Sequence, residues 1–287
     1  GSEFSPFFLV EPDQAVEAVK PPDGMSDTRF AKRYKEYKKL LASSPIQQHG
    51  SEHQKESLLK SIDNAHRLLS SPKARKAFDL SLESKESYDT YKVGGRFGLG
   101  CLLAKRLTEA GARFIEVTHG YYPFKYWDTH DNGHTKMKDL KKMIDAPIAQ
   151  LVLDLEKSKL LDRTLIVVAS EFSRDMMMEG KPEKRVKDQV KVPARIDGPQ
   201  HYGMHRHFTG AGSVLLFGGG IKKGFVYGET ADERPCTTIK DPINTQQLHA
   251  TMYRALGIPH DHHYNVEQRP FYVTPDGVTE PVMDLFG

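Results

Sequence analysis

Residues 164–175, TLIVVASEFSRD, pass from an apolar run straight into a charged cluster with no turn residue between them. Leu165, Ile166, Val167, Val168 and Ala169 are continuous; Ser170, Glu171, Phe172, Ser173, Arg174 and Asp175 follow at once. An unbroken apolar run of this kind suits a strand buried on both faces, as in a sheet covered by helices. In α/β sheets of that type, polar ligands gather beyond the carboxyl ends of the strands. The stretch therefore predicts a covered sheet, with Glu171 and Arg174 placed where such a sheet carries its chemistry.

The neighbouring segments fit the same order. ARFIEVTH (112–119) reads as a strand and GSVLLFGGG (212–220) as another. Between the first strand and the apolar run, residues 136–161 read as a helix, with Met137, Leu140, Ile144, Ile148, Leu151 and Leu155 on one side. Pro147 must kink or restart it, with Asp145 as a cap. Residues 244–257 read as a helix with an Asn244 cap and a Gly257 stop. Upstream, 5–26 read as extended. Helices are expected over 26–41, over 51–69 with Ser51 and Gln54 at capping-box spacing, over 71–81, and over 96–111 with Gly111 as stop. The expected organisation is an expression scar at 1–4 (GSEF), an extended and helical region at 5–110 packing on the core, and an α/β part at 111–287.

Bulk composition narrows the function classes. A net charge of +3 is too weak to argue for a nucleic-acid partner. No apolar stretch approaches the roughly 20 residues of a bilayer span. Cys101 and Cys236 form no C-x-x-C, so neither a disulfide framework nor a thiolate metal site is indicated; a single bridge stays open.

Three clusters carry the polar chemistry. YWDTHDNGH holds Asp128, His130, Asp131 and His134; SEFSRD holds Glu171 and Arg174; HYGMHRHF holds His201, His205, Arg206 and His207. Carboxylates and imidazoles suit Zn²⁺, Mn²⁺, Mg²⁺ or Ca²⁺, and the guanidinium of Arg174 suits a sulfate or phosphate oxyanion. Each cluster also has a plain reading. The first caps a helix through Asp131 or Thr135, the second is an internal ion pair, and the third is a surface loop packed by aromatics. HDHHYN (260–265) reads as a polar turn, His249 as a packed core histidine, and GGGIKKG (218–224) as a tight turn.

In combination, YWDTHDNGH, SEFSRD, MHRHF, LLFGGGIKKGFVYGETADE and LHATMYRALGI resemble the sulfatase-like bacterial family catalogued as domain of unknown function 1501, placed in the alkaline phosphatase superfamily. The resemblance covers about residues 75–275, with a weaker match upstream. It implies an alkaline-phosphatase-like α/β sandwich, with a mixed, mainly parallel sheet between helical layers. It implies metal ligation by Asp128, His130, Glu171 and His207, with His201 and His205 as further candidates. Phe172 stands where relatives often carry histidine, and Arg206 where the family commonly has aspartate. The strand and loop that would carry the first metal aspartate and the nucleophile are not visible, nor is C-x-P-x-R. The resemblance therefore implies a C-terminal portion with the N-terminal part of the fold missing. Full-length members typically begin with an export signal, which implies a periplasmic or secreted home.

The function so implied is a metal-dependent hydrolase of sulfate or phosphate esters, present as an inactive fragment. Its substrate would be a small-molecule or polysaccharide ester. Arg174 would neutralise ester oxygens, and His130 and His207 would bind metal or shuttle protons. The alternative is a non-catalytic binding or structural protein with a degenerate metal site, for which Phe172 speaks.

Overall fold

The computed structural model describes residues 4–120, 122, 125–129, 132–174, 198, 207–232, 237–266 and 268–287. The chain divides into two compact units: Gly1–His119 with Met143–Leu151, and Gly120–Lys142 with Val152–Gly287.

Serines write the helix starts of the first unit. Ser26, Ser44, Ser51, Ser71 and Ser84 each accept a backbone N–H three residues on. They open α1 (Asp27–Ala42), α2 (Pro45–His49), α3 (Glu52–Ser70), α4 (Pro72–Phe78) and α5 (Lys85–Lys92). Ser51 and Gln54 complete the capping box that their spacing predicts. Proline follows Ser44 and Ser71 at the first helical position, where its missing N–H costs nothing. α6 (Gly95–Glu109) ends as expected before Gly111, at φ 95°. The sequence reading missed α2 and α5. It also took 5–26 as extended, whereas Pro12–Val19 is a 3₁₀ helix that buries Pro12, Ala15 and Val19.

α6 is the centre of this unit, packing on α4, α5 and the Pro12–Val19 helix. Val19, Tyr91 and Leu102 are fully enclosed. Gly98 lets α5 and α6 close up: a Cβ there would lie 1.9 Å from the Tyr91 carbonyl oxygen. Cys101 is a buried free thiol whose pKa burial pushes up to about 12; Cys236 lies outside the described residues. Glu83 ties the elements together. Its carboxylate accepts from Lys105 Nζ at 3.0 Å, Arg106 Nη1 at 2.6 Å and Ser87 Oγ at 2.9 Å. Arg106 also donates to the carbonyls of Lys76 and Ala77, capping the end of α4. Burial opposes ionisation of Glu83, but the hydrogen bonds from Lys105, Arg106 and Ser87 outweigh it and hold its pKa below the usual range.

α7 (Gly133–Lys157) contributes Met143–Leu151 to this unit. Pro147 is fully enclosed within it, and the helix runs through as one element rather than restarting at Asp145. Its start at Gly133 places Thr135 inside the helix and not at its cap.

The second unit contains β1 (Ile166–Val168), β2 (Ser173–Arg174), β3 (His207–Phe208), β4 (Leu215–Phe217), β5 (Glu229–Thr230), β6 (Thr238–Lys240), α8 (Thr245–Ala255), β7 (His263–Val266) and β8 (Arg269–Tyr272). Its strands pair two by two, all antiparallel: β1 with β4, β2 with β3, β5 with β6 and β7 with β8. The expected mixed, mainly parallel sheet between helical layers is thus overturned among the described residues, and with it the alkaline-phosphatase-like sandwich. An apolar run reports burial and is silent on the direction of its neighbour. β1 keeps three residues of the run, all half-buried, with Ile166 opposite Phe217 and Val168 opposite Leu215. The strand expected at 112–119 is absent; Phe114 there is 81% exposed.

α8 forms behind the predicted Asn244 cap, which with Gln247 makes a capping box. Thr251, on the buried side of α8, donates to the Gln247 carbonyl at 2.8 Å and accepts from the Val282 N–H at 2.9 Å. His249 is exposed on α8, contrary to its expected place in the core. Gly218, Gly219 and Gly220 all have positive φ, making the tight turn expected after β4. A Cβ on Gly218 would lie 2.3 Å from the Leu161 carbonyl oxygen. Among the described residues, no helix is long and apolar enough to cross a membrane.

Two outcomes follow for stability. Glu83→Ala strands Lys105 and Arg106 in a poorly hydrated setting and lowers unfolding free energy by about 3 kcal/mol, read by urea unfolding. A depressed carboxylate pKa stabilises above the unfolded value of about 4.3, and this stability is lost as pH falls through the folded value. Glu83→Gln therefore flattens the acid side of the stability–pH curve. Gly218→Ala combines a disfavoured φ with a backbone clash and costs about 2 kcal/mol or more in the same assay.

Candidate functional site

Two of the three polar clusters meet on one ladder. β2 and β3 pair with Ser173 opposite Phe208 and Arg174 opposite His207. Phe172 lies diagonally across from His207, within aromatic reach on an antiparallel pair. The two rings stack, with centroids 4.0 Å apart and planes 23° apart. The stack fixes the imidazole plane while His207 stays exposed. The Ser170 hydroxyl donates to the Phe172 carbonyl at 3.2 Å, pinning the approach to β2. Glu171, just before β2, is exposed. On β3, the Phe208 ring covers Gly210, where a Cβ would lie 2.8 Å from Cζ.

The loop before α7 is bent at both ends. Gly120 at φ 73° abuts Tyr126, so that a Cβ on the glycine would lie 2.7 Å from the Tyr126 Cβ. Tyr126 at φ 53° and Asn132 at φ 49° are both left-handed. That conformation is common for asparagine and unusual for tyrosine, and such strain concentrates where surrounding structure over-determines the chain. Between them, the Asp128 N–H donates to the Lys125 carbonyl at 3.1 Å and the Thr129 N–H to the Trp127 carbonyl at 2.8 Å. Thr129 is buried and Asp128 half-buried.

The expected ligand set is therefore placed only in part. Asp128 sits in the bent loop, Glu171 before β2 and His207 on β3. His130, Asp131, His201, His205 and Arg206 lie outside the described residues. Among the described residues, no three His, Cys, Asp or Glu side chains are gathered closely enough to hold a metal ion. Asp128, Glu171 and His207 do not make a metal site by themselves. HDHHYN is not a plain turn, since His263 begins β7 and its ring lies 5.0 Å from that of Tyr272.

The sequence reading passed over one concavity. A cleft of about 400 Å³ is lined by Lys222, Phe225, Tyr227, Glu229, Lys240 and Asp241, among others. Lys222 Nζ lies 5.1 Å from the Phe225 ring centroid and donates to the Asp284 carbonyl at 2.9 Å. The signal available was the mix of lysine and aromatic residues directly after the glycine turn, in IKKGFVYGE.

No curated protein and no solved structure matches this chain. Nothing in the comparisons links it to sulfatases or to the alkaline phosphatase superfamily, which overturns that part of the resemblance. A family model matches from residue 1, so the likeness is not confined to about residues 75–275, nor does the chain match only the C-terminal portion of a family. That model, described as a protein of unknown function (DUF1501), covers residues 1–285, and the chain belongs to this family.

Proposed function

We propose that the β2–β3 pair is the centre of a site that binds and hydrolyses a sulfate or phosphate ester. One observation supports the reading above the rest: the ladder sets Arg174 directly opposite His207. A guanidinium offers paired donors to two non-bridging oxygens of a tetrahedral oxyanion, and neutralises charge as it builds during attack. The exposed imidazole of His207, on the residue opposite in the ladder, takes a proton from water or gives one to the departing oxygen. Phe172 keeps that imidazole in one plane. The ester is carried by a small molecule or a polysaccharide. A divalent cation (Zn²⁺, Mn²⁺, Mg²⁺ or Ca²⁺) would draw on Asp128, His130, Glu171, His201, His205 and His207. The described members of this set are not gathered, so no step is assigned to a metal.

A second reading is favoured by the same stack. A phenylalanine against the imidazole covers one face of the ring, as a purely structural pair would. The protein would then bind the oxyanion without turning it over.

The two readings separate in one assay. Purified protein is offered aryl sulfates and aryl phosphates, with and without added Zn²⁺, Mn²⁺, Mg²⁺ or Ca²⁺. Hydrolysis lowered about 10²-fold or more by His207→Ala, and by a similar factor by Arg174→Ala, supports the enzyme. Binding of sulfate or phosphate that is lost in Arg174→Ala, with no turnover across the panel, selects the binding protein. Turnover indifferent to both substitutions overturns the site.

A further inference from the structure

Helix α1 turns opposite characters to its two sides. Inward, Phe30 and Tyr34 stack on His66 of α3, with ring centroids 5.3 Å and 3.7 Å away, and Leu41 is buried. Lys38 joins this side by pairing with Asp63 at 3.2 Å. Outward, positions 29, 32, 33, 36, 39 and 40 recur at three- and four-residue steps, so they share one face. That face carries Arg29, Lys32, Arg33 and Lys39, with Lys35 beside them and Glu36 as its sole acid. Glu36 is paired with Lys39 at 3.1 Å. Arg29, Lys32, Arg33 and Lys35 are exposed and in no ion pair among the described residues. Leu40, 68% exposed, lies on the same face, and Tyr37, 48% exposed, on its border.

We infer that the outer face of α1 docks on an anionic lipid surface. The chain's net charge is only +3, so three unpaired cations on one helix face, with Lys35 as a fourth at its edge, are a local concentration and not a general property. Helices that lie flat in the headgroup region combine Lys and Arg with a few apolar side chains reaching the acyl boundary. Arg29, Lys32, Arg33 and Lys35 supply the first component and Leu40 the second. Tyr37 has the amphipathic ring that settles at the headgroup level. A bilayer asks for a convex, one-sided face of this kind, whereas a bound peptide asks for a groove. This inference is independent of the ester site on β2 and β3.

The full chain is sedimented with vesicles of phosphatidylcholine alone and of phosphatidylcholine with phosphatidylserine. Binding is expected only to the phosphatidylserine vesicles, and it should weaken as salt rises. Each cation near the surface is worth about fivefold in affinity, so Lys32→Glu with Arg33→Glu lowers binding by more than about tenfold. Circular dichroism should be unchanged, because both residues are exposed and make no ion pair. Leu40→Asp weakens binding while keeping the preference for phosphatidylserine. Equal binding to both vesicle types overturns the inference. So does no binding at low salt, an unchanged affinity after charge reversal, or binding to duplex DNA or a polyglutamate peptide without binding to vesicles.

Discussion

One ionised carboxylate organises the first unit. Glu83 sits at the entrance to α5 and receives donors from α5 itself through Ser87 and from α6 through Lys105 and Arg106. Arg106 then reaches on to the last carbonyls of α4. Three helices are thereby fixed to a single charge. A buried carboxylate is unfavourable unless its lone pairs are filled, and here three donors fill them. The apolar core of Val19, Tyr91 and Leu102 supplies the bulk of the driving force. The ionic knot sets the register in which those side chains meet.

The second unit is built on a different principle. Among the described residues its strands are short and pair off in twos, with no broad sheet to organise them. Glycines at positive φ and buried threonines do that work instead. The Gly218–Gly220 turn fits against the Leu161 carbonyl, and Thr251 carries a hydrogen bond from α8 to the backbone at Val282. The same economy places Arg174 against His207, since two residues of ladder suffice to bring together motifs far apart in the chain.

Local chemistry was legible in the sequence and pairing was not. The Ser51–Gln54 box, the Asn244 cap and the glycine stops are decided within a turn of helix, and the structure follows them closely. α2 and α5 are short enough that periodicity barely registers, though Ser44-Pro45 and Ser84 marked their starts. The apolar run at 165–169 was read correctly as a strand and wrongly as the spine of a parallel sheet. Hydrophobicity encodes what a strand hides from, whereas β4 as its antiparallel partner is a property of the whole chain. The segment 112–119 has strand-like alternation, yet β structure needs a partner edge to supply hydrogen bonds. The convergence expected of three clusters on one metal is not seen among the described residues, where Asp128, Glu171 and His207 are not gathered; what the chain does bring together is Arg174 and His207, on one ladder. Its form, an antiparallel pair, was invisible because no single residue carries it.

The serine-started helices and the β1–β4 ladder differ in one more respect, which bears on the order of assembly. The contacts of α6 with α4 and α5 join close neighbours along the polypeptide, so little loop-closure entropy opposes them, although the Pro12–Val19 helix joins α4 and α6 from farther away. Val168 must find Leu215 across a long excursion of chain before its bonds can form. The kinetic corollary is sequential: the helical half can condense early, and closure of the distant ladder sets the slow phase of refolding.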